Sequence, residues 1–194
     1  MLQTTELKLE TRRLILRKPE KADALGIQTL IANWEIAKWL GRLPWPYPPN
    51  GAAEWIERMH REVALGQGYV FGLSIKSRPF DGIIGVVGLH VREHGEWELG
   101  YWLGEPYWGL GYMSEAAPAV VAHAFETVGI NPLTAGHFVG NEGSARVLLR
   151  CGFEYTGEGR RWCEARGHEV DCLEMELTRA KWQAYTKADA IAAE

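Results

Sequence analysis

The stretch from Trp97 to Val128 carries the residue types best suited to holding an anionic ligand. It reads WELGYWLGEPYWGLGYMSEAAPAVVAHAFETV, and its first seven residues are mostly apolar or aromatic, as in a buried strand. Gly109 and Gly111 permit a tight loop whose backbone approaches a ligand closely. Ser114 and Glu115 are typical of a helix start. A strand that enters a helix through glycines directs unpaired N–H groups and the helix dipole at an anion, so this junction predicts a phosphate-binding loop.

A Gly-x-Gly spacing alone fits a plain turn equally well, but the surrounding sequence narrows the choice. WELGYWLGEPYWGLGYMSEA resembles the coenzyme-A pyrophosphate loop of the GNAT superfamily of N-acetyltransferases, in the ribosomal-protein N-terminal acetyltransferase (RimJ/RimL-type) branch. LETRRLILRKPEKADA, NEGSARVLLRCGF and CLEMELTRAKW resemble the same branch in the same order. The resemblance therefore covers nearly the whole chain.

The resemblance implies a fold and a reaction. The expected fold is α/β (α+β), with one acetyltransferase domain over residues 1–194. Its central sheet would be mixed and mostly antiparallel, flanked by helices, and would splay open near Leu103 to admit acetyl-coenzyme A. The reaction would be transfer of the acetyl group from acetyl-coenzyme A, the cosubstrate, to a primary amine, with no metal.

The resemblance also assigns the coenzyme-binding residues. Aligned on the family pattern of Gln or Arg, two residues, Gly, one residue, and Gly or Ala, the loop departs at Trp108 and Met113. Leu110 replaces the usual basic residue, so the positive charge is either lost or supplied by Arg146 or Arg150. The alternative for these two arginines is that they form a solvated basic helix face. The full expected set is Trp102, Leu103, Trp108, Gly109, Leu110, Gly111, Tyr112, Met113, Ser114, Asn141, Arg146 and Arg150.

A carboxylate on the strand before the loop is the first candidate catalytic base. An ammonium group cannot attack a thioester, so the acceptor amine must lose a proton first. By strand alternation Glu98 shares one face with Glu96, Gly100 and Trp102, and can face a cleft beside the coenzyme. Glu96 is the second choice. The alternative for Glu98 is a solvated or salt-bridging carboxylate.

Ser144 is the second candidate catalytic residue, because the resemblance matches it to a serine that lies near the coenzyme sulfur. Asn141 is predicted to cap the helix that begins there, and the matching family asparagine also contacts the coenzyme. The tyrosine that many relatives place seven residues after that asparagine, as general acid, is Leu148 in this chain. A catalytically silent acyl-coenzyme-A-binding module therefore stays open as an alternative.

The acceptor is the least determined partner. A Pro- and Trp-rich loop over Leu43–Pro49, opposite Glu96 and Glu98, would give a cleft with one aromatic and one acidic wall, which favours a cationic amine. We expect the N-terminal α-amine of a protein such as a ribosomal protein. A small-molecule amine, that is a polyamine, an amino acid or an antibiotic, is the alternative, and a homodimer is compatible with the sequence.

Composition excludes several classes of protein. The 194 residues, 46% hydrophobic and 24% charged, suffice for one domain with a full core. A net charge of -4 gives no indication of nucleic-acid binding. The three cysteines and six histidines show no metal-ligand spacing, and no apolar run is long enough to span a membrane. We expect a soluble cytoplasmic protein with reduced thiols.

The remaining periodicity predicts the elements around the loop. Three antiparallel strands before the phosphate-binding helix argue against a dinucleotide-binding Rossmann unit. The expected elements are a first strand over Leu7–Arg17, a helix over Ala24–Leu40, a helix from Asn50 or Gly51, a hairpin from Gly68, a strand at TAGHFVG, a helix at NEGSARVLLRCGF, a hairpin at RRWCEARGHEVDCLEMELT and a C-terminal helix marked by Trp182 and Tyr185.

Overall fold

The structure, a computed structural model, describes residues 8–92 and 95–192. The strands in these ranges form one eight-stranded sheet in the order β1-β2-β3-β4-β5-β6-β8-β7. Neighbouring strands are antiparallel except β5 and β6, which are parallel. The strands are β1 Lys8–Glu10, β2 Leu14–Arg17, β3 Gly68–Ile75, β4 Gly85–Val91, β5 Trp97–Leu103, β6 Leu133–Phe138, β7 Glu154–Cys163 and β8 His168–Leu177.

Helices cover both faces of the sheet. They are α1 Ala24–Ile31, α2 Trp34–Ala37, α3 Gly51–Ala64, α4 Tyr112–His123, α5 Glu142–Arg150 and α6 Arg179–Ala192. Helix α4 continues into a π-helical turn over Ala124–Val128. None of the described helices is long and apolar enough to cross a membrane.

Two apolar cores result from the alternation of side chains along the central strands. Val70 on β3 and Val86 on β4 pack with residues of α1, α2 and α3. Their neighbours Phe71 and Val87 point to the other face and pack with α4 and α5. Both faces of β3 and β4 are therefore buried, which explains why their sequences are mostly apolar.

Most of the predicted elements are confirmed, including β5 with its predicted limits and both hairpins. The prediction of one strand over Leu7–Arg17 is wrong, because β1 and β2 form a hairpin with Lys8 opposite Arg17. The chain turns at Thr11, whose hydroxyl accepts a hydrogen bond from the Leu14 N–H at 3.2 Å. Leu7 lies outside the described residues.

Two helix boundaries also differ from the prediction. The helix expected over Ala24–Leu40 is interrupted at Asn33, whose side chain caps α2 by accepting from the Glu35 N–H at 2.8 Å. Helix α4 begins at Tyr112, before the expected Ser114, because Gly111 in the left-handed region already ends the loop.

Glu115, in the first turn of α4, fixes this helix to the β1–β2 turn. Its Oε1 accepts hydrogen bonds from the Thr11 hydroxyl at 2.6 Å and the Arg13 N–H at 2.7 Å, and its Oε2 pairs with Arg13 Nε at 2.6 Å. Burial raises the pKa of Glu115, but the hydrogen bonds from Thr11 and Arg13 outweigh it, so the pKa lies below its ordinary value. The helix start and the edge hairpin therefore depend on an ionised Glu115.

We expect Glu115→Gln to lower the free energy of unfolding at pH 7 by about 1–3 kcal/mol, the usual worth of hydrogen bonds to a charged group. Because the folded-state pKa of Glu115 is lowered, its contribution is complete above the ordinary value of 4.5 and disappears as the pH falls through the folded-state value. Urea unfolding at pH 7 and in acid measures this difference. Glu126→Gln, an exposed carboxylate beyond the same helix, is the control. A wild-type advantage that persists undiminished in acid would contradict the assignment.

Candidate active site

Strands β5 and β6 separate soon after they meet. They pair only at Trp97 with Leu133 and at Glu98 with Thr134, and the Thr134 hydroxyl donates to the Trp97 carbonyl at 2.9 Å. From Leu99 onward, no strand among the described residues pairs with this side of β5. The sheet therefore opens, as the sequence predicted, although the opening begins four residues before Leu103.

A cleft of about 780 Å³ occupies this opening, between β5, β6 and the N-terminal ends of α4 and α5. Its size suits a large ligand. Of the predicted coenzyme-binding residues and the two first candidates for catalysis, Glu98 and Ser144, only Leu110 does not line it. Those that line it are Glu98, Trp102, Leu103, Trp108, Gly109, Gly111, Tyr112, Met113, Ser114, Asn141, Ser144, Arg146 and Arg150.

The glycine loop ends this cleft at the start of α4. Gly109 and Gly111 have φ of 72° and 75°, a region that L side chains rarely adopt. The N–H groups of the first residues of α4, from Tyr112 on, have no partner within the helix, and no side chain of the described residues caps this helix start. They carry the positive end of the helix dipole at the edge of the cleft. Trp108 Nε1 donates to the Leu103 carbonyl at 2.7 Å and ties the loop to β5.

Leu110 is directed away from the cleft. Its side chain is about half exposed, and its carbonyl accepts a hydrogen bond from Arg13 Nη1 at 2.9 Å. Arg13 thus braces the loop from behind, a contact that the sequence did not reveal because Arg13 lies 97 residues away.

Helix α5 contributes both a capped start and two cations. Asn141 Oδ1 accepts from the Ser144 N–H at 3.1 Å, which confirms the predicted cap. Arg146 and Arg150 are exposed and line the cleft one helical turn apart, and neither has an ion pair or side-chain hydrogen bond within the described residues. Two guanidinium groups are therefore available to an anion. Leu148 is buried in the core, so this position offers nothing to the cleft.

Glu98 lines the cleft as predicted, but its carboxylate is already paired. Arg92 Nη1 donates to Glu98 Oε1 at 3.2 Å, and Arg161 Nη1 donates to the same oxygen. Arg161 also pairs with Glu174, through Nε to Oε1 at 2.7 Å. Both of the Glu98 contacts are made by Oε1, and Oε2 takes part in neither of them.

Arg161 on β7 reaches Glu98 across β8 and β6, and the lack of a side chain at Gly136 on β6 leaves room for its guanidinium. A Cβ at Gly136 would lie 2.8 Å from Arg161 Nη2. Sequence reasoning missed Arg161, since it lies 63 residues after Glu98 and no local pattern indicates which strand it faces.

The acidic and aromatic residues that were predicted to face the acceptor differ from those that line the cleft. Glu96 is exposed and does not line the cleft. Neither does any residue of Leu43–Pro49, whose Trp45 packs edge-on against Trp34 at 5.6 Å between ring centroids. The aromatic wall is instead Trp39, with the Arg166 guanidinium 4.9 Å from its ring centroid.

Tyr101 is a second residue that sequence reasoning missed. It lines the cleft on the face of β5 opposite Glu98, and its hydroxyl lies 2.9 Å from Ser144 Oγ and 3.0 Å from the Ser144 carbonyl oxygen. Burial raises the pKa of Tyr101, so its hydroxyl stays protonated at working pH. The only available signal was alternation along β5, which places Tyr101 with Trp97 and Leu99.

His137 also lines the cleft, with both ring nitrogens engaged. Nδ1 donates to the Phe138 carbonyl at 3.1 Å, which leaves Nε2 to accept from the Tyr155 hydroxyl at 3.2 Å. Within the described part of the chain, no group of three or more His, Cys, Asp or Glu side chains could hold a metal ion.

Comparison with known proteins agrees with this geometry. The family described as the acetyltransferase (GNAT) domain matches residues 13–154. The chain belongs to the GNAT family. It is thus an N-acetyltransferase, an acyltransferase of mixed α/β fold, which confirms the resemblance and the fold class predicted from the sequence.

Three relatives of this GNAT chain illustrate the likeness. It is 32% identical to the probable N-acetyltransferase YjcK of Bacillus subtilis, over 82% of this chain and 90% of that protein. It is 27% identical to the [ribosomal protein uS5]-alanine N-acetyltransferase of Escherichia coli, over 91% of this chain and 93% of that protein. The structure of the microcin C7 self-immunity acetyltransferase MccE, solved with acetyl-coenzyme A and AMP, matches with a TM-score of 0.73 at 20% sequence identity. The match covers 86% of this chain and 93% of that protein.

We expect Gly111→Ala to raise the dissociation constant of acetyl-coenzyme A by about tenfold or more, equivalent to ~1.4 kcal/mol. A side chain in the left-handed region strains the loop that presents the α4 N–H groups, and its Cβ would lie 3.4 Å from Arg13 Nη2. Isothermal titration calorimetry measures the constant. Gly129→Ala is the matched control, since Gly129 has φ of 86° but does not line the cleft. Equal weakening by both variants would move the coenzyme away from this loop.

Proposed function

We propose that the protein transfers the acetyl group of acetyl-coenzyme A to the N-terminal α-amine of a protein, such as a ribosomal protein. The observation that carries the coenzyme assignment is the cleft between β5 and β6, which has an uncapped helix start at one end and two unpaired arginines on its wall. Pyrophosphate suits the N–H groups after Gly111. Arg146 and Arg150 would pair with the phosphate groups in place of the basic residue missing at Leu110.

The unpaired edge of β5 would receive the pantetheine arm of the coenzyme. Residues from Leu99 to Leu103 have no strand partner on this side, so their backbone groups need another partner or water. An extended arm with amide groups can bind such an edge as an added strand does. This binding would carry the thioester from the phosphate end of the cleft toward Glu98.

The acceptor preference follows from the shortage of a free base. Glu98 is held by two arginines, His137 uses both ring nitrogens, and Glu142, the other carboxylate on the cleft, is exposed to solvent. An α-amine with a pKa of about 7.7–8.0 is roughly one-third neutral at pH 7.5, whereas about one in a thousand lysine-like amines is neutral. An α-amine therefore needs little help from a base. The Escherichia coli relative, named for an alanine of ribosomal protein uS5, supports the same class of acceptor.

The decisive experiment is an acetylation screen read by release of the coenzyme-A thiol. Peptides with a free N-terminus and no lysine are compared with N-terminally blocked peptides that contain lysine, and with polyamines, amino acids and aminoglycosides. We expect turnover of the first group, with kcat/KM levelling off above about pH 8, where the α-amine is neutral. Turnover confined to small amines would replace the proposed acceptor. Binding of acetyl-coenzyme A in calorimetry without thiol release in any arm would indicate a catalytically silent module.

We further propose that Glu98 orients the acceptor amine through Oε2, while Arg92 and Arg161 hold Oε1. Glu98→Gln then removes a charge-assisted hydrogen bond and should lower kcat/KM by about tenfold, by a similar factor at each pH from 7 to 9.5. A base would behave differently, because its loss matters most at neutral pH and is relieved when the amine deprotonates unaided. The pH profile of the variant therefore separates the two roles. Glu96→Gln, an exposed carboxylate two residues away, is the control.

A further inference from the structure

The hydroxyl groups of Tyr101 and Ser144 form a pair inside the cleft that the proposed function has not yet used. The Tyr101 oxygen lies within hydrogen-bonding distance of both oxygens of Ser144, 2.9 Å from Oγ and 3.0 Å from the carbonyl. A phenol has one proton to donate, so Tyr101 can donate to the carbonyl or to Oγ but not fully to both. The pair therefore has two hydrogen-bonding arrangements with the same heavy-atom positions.

The position of the pair along β5 matches the place of the reacting sulfur. At a rise of roughly 3.3 Å per residue, the Cα of Tyr101 lies roughly 10 Å from that of Glu98 and roughly 7 Å from that of Leu103. Both Glu98 and Leu103 line the cleft, and in the proposed function Glu98 lies at the acceptor end while Leu103 leads to the loop that binds phosphate. A thioester carried by a coenzyme between these ends would pass the Tyr101–Ser144 pair.

We propose that Tyr101 is a positioning residue that allows the Ser144 hydroxyl to turn from the tyrosine to the sulfur of the departing coenzyme. This inference rests on the proposed acetyl transfer. In the first arrangement Tyr101 donates to the Ser144 carbonyl and accepts from Ser144 Oγ. In the second arrangement Tyr101 donates to Ser144 Oγ, whose own proton then faces the sulfur.

The second arrangement suits the moment at which charge develops on sulfur. The amine nitrogen forms a bond to the acetyl carbon, the C–S bond breaks, and its electron pair remains on sulfur. The sulfur takes the proton of Ser144 Oγ, and Oγ regains the proton that leaves the amine nitrogen as it becomes an amide. Neither hydroxyl loses a partner during the change, which avoids the cost of an unsatisfied polar group.

Tyr101 keeps its own proton throughout. Burial raises the pKa of its phenol, so a phenolate in this place would be unfavourable. The tyrosine therefore acts through Ser144, and it does not replace the general acid that Leu148 cannot supply. Its effect should disappear when the serine hydroxyl is removed.

The test is a double-mutant cycle of Tyr101→Phe and Ser144→Ala, with Tyr107→Phe as control because Tyr107 donates a hydrogen bond to Asp81 outside the cleft. We expect Tyr101→Phe to lower kcat about tenfold and to leave the dissociation constant of coenzyme A within about twofold. The double variant should lose no more than Ser144→Ala alone. Ser144→Thr, which keeps a hydroxyl, should retain the dependence on Tyr101.

A second readout does not require an acceptor. At pH 9 a thiol with a pKa of about 8.5 is mostly ionised, so wild-type protein should bind coenzyme A roughly fivefold or more tightly than desulfo-coenzyme A. Tyr101→Phe should abolish this preference. If the wild-type protein transferred no acetyl group, the proposed function would be wrong. The ratio of the affinities for coenzyme A and desulfo-coenzyme A would still test the role of Tyr101 and Ser144. Losses that multiply in the double variant, an unchanged kcat in Tyr101→Phe, or an unchanged preference for the thiol would each overturn the inference.

Discussion

Strands β5 and β6 form hydrogen bonds over two residue pairs only, and this short parallel contact determines what the rest of the molecule can do. A longer contact would close the cleft, whereas the absence of any contact would divide the sheet into two halves. The contact is reinforced by the Thr134 hydroxyl, which donates to the Trp97 carbonyl, and by Arg161 on β7, which spans β8 and β6 to reach Glu98. The opening is thus held at its narrow end by side chains, while the two helix starts define its wide end.

The charges of the cleft are divided along its length. At the narrow end, Arg92 and Arg161 face Glu98 and Glu174, so the positive and negative charges balance. At the wide end, Arg146 and Arg150 add to the positive end of the α4 dipole. This gradient attracts phosphate groups to one end and leaves the other nearly neutral. The proposed α-amine acceptor reacts in its neutral form, which suits an end of the cleft where the charges balance.

Local features of the molecule could be predicted from the sequence, and long-range contacts could not. The limits of β5, the glycines before α4 and the Asn141 cap depend on neighbouring residues, so pattern and propensity were sufficient. Arg161 and Tyr101 act across 63 and 43 residues, and their partners depend on strand order and register. The prediction of an aromatic wall at Leu43–Pro49 was wrong for a similar reason. This loop is rich in aromatic residues but packs outside the cleft.

The open side of β5 is a sheet edge that lies inside the protein. Edges at the rim of a sheet invite pairing with other chains and are a common route to aggregation, so proteins usually shorten, charge or cover them. This edge is flanked by α4 and α5 and lies within a cleft, where another protein's strand would have to enter end-on. Because it lies in a cleft, this edge can remain without a strand partner among the described residues and still be shielded from pairing with other chains.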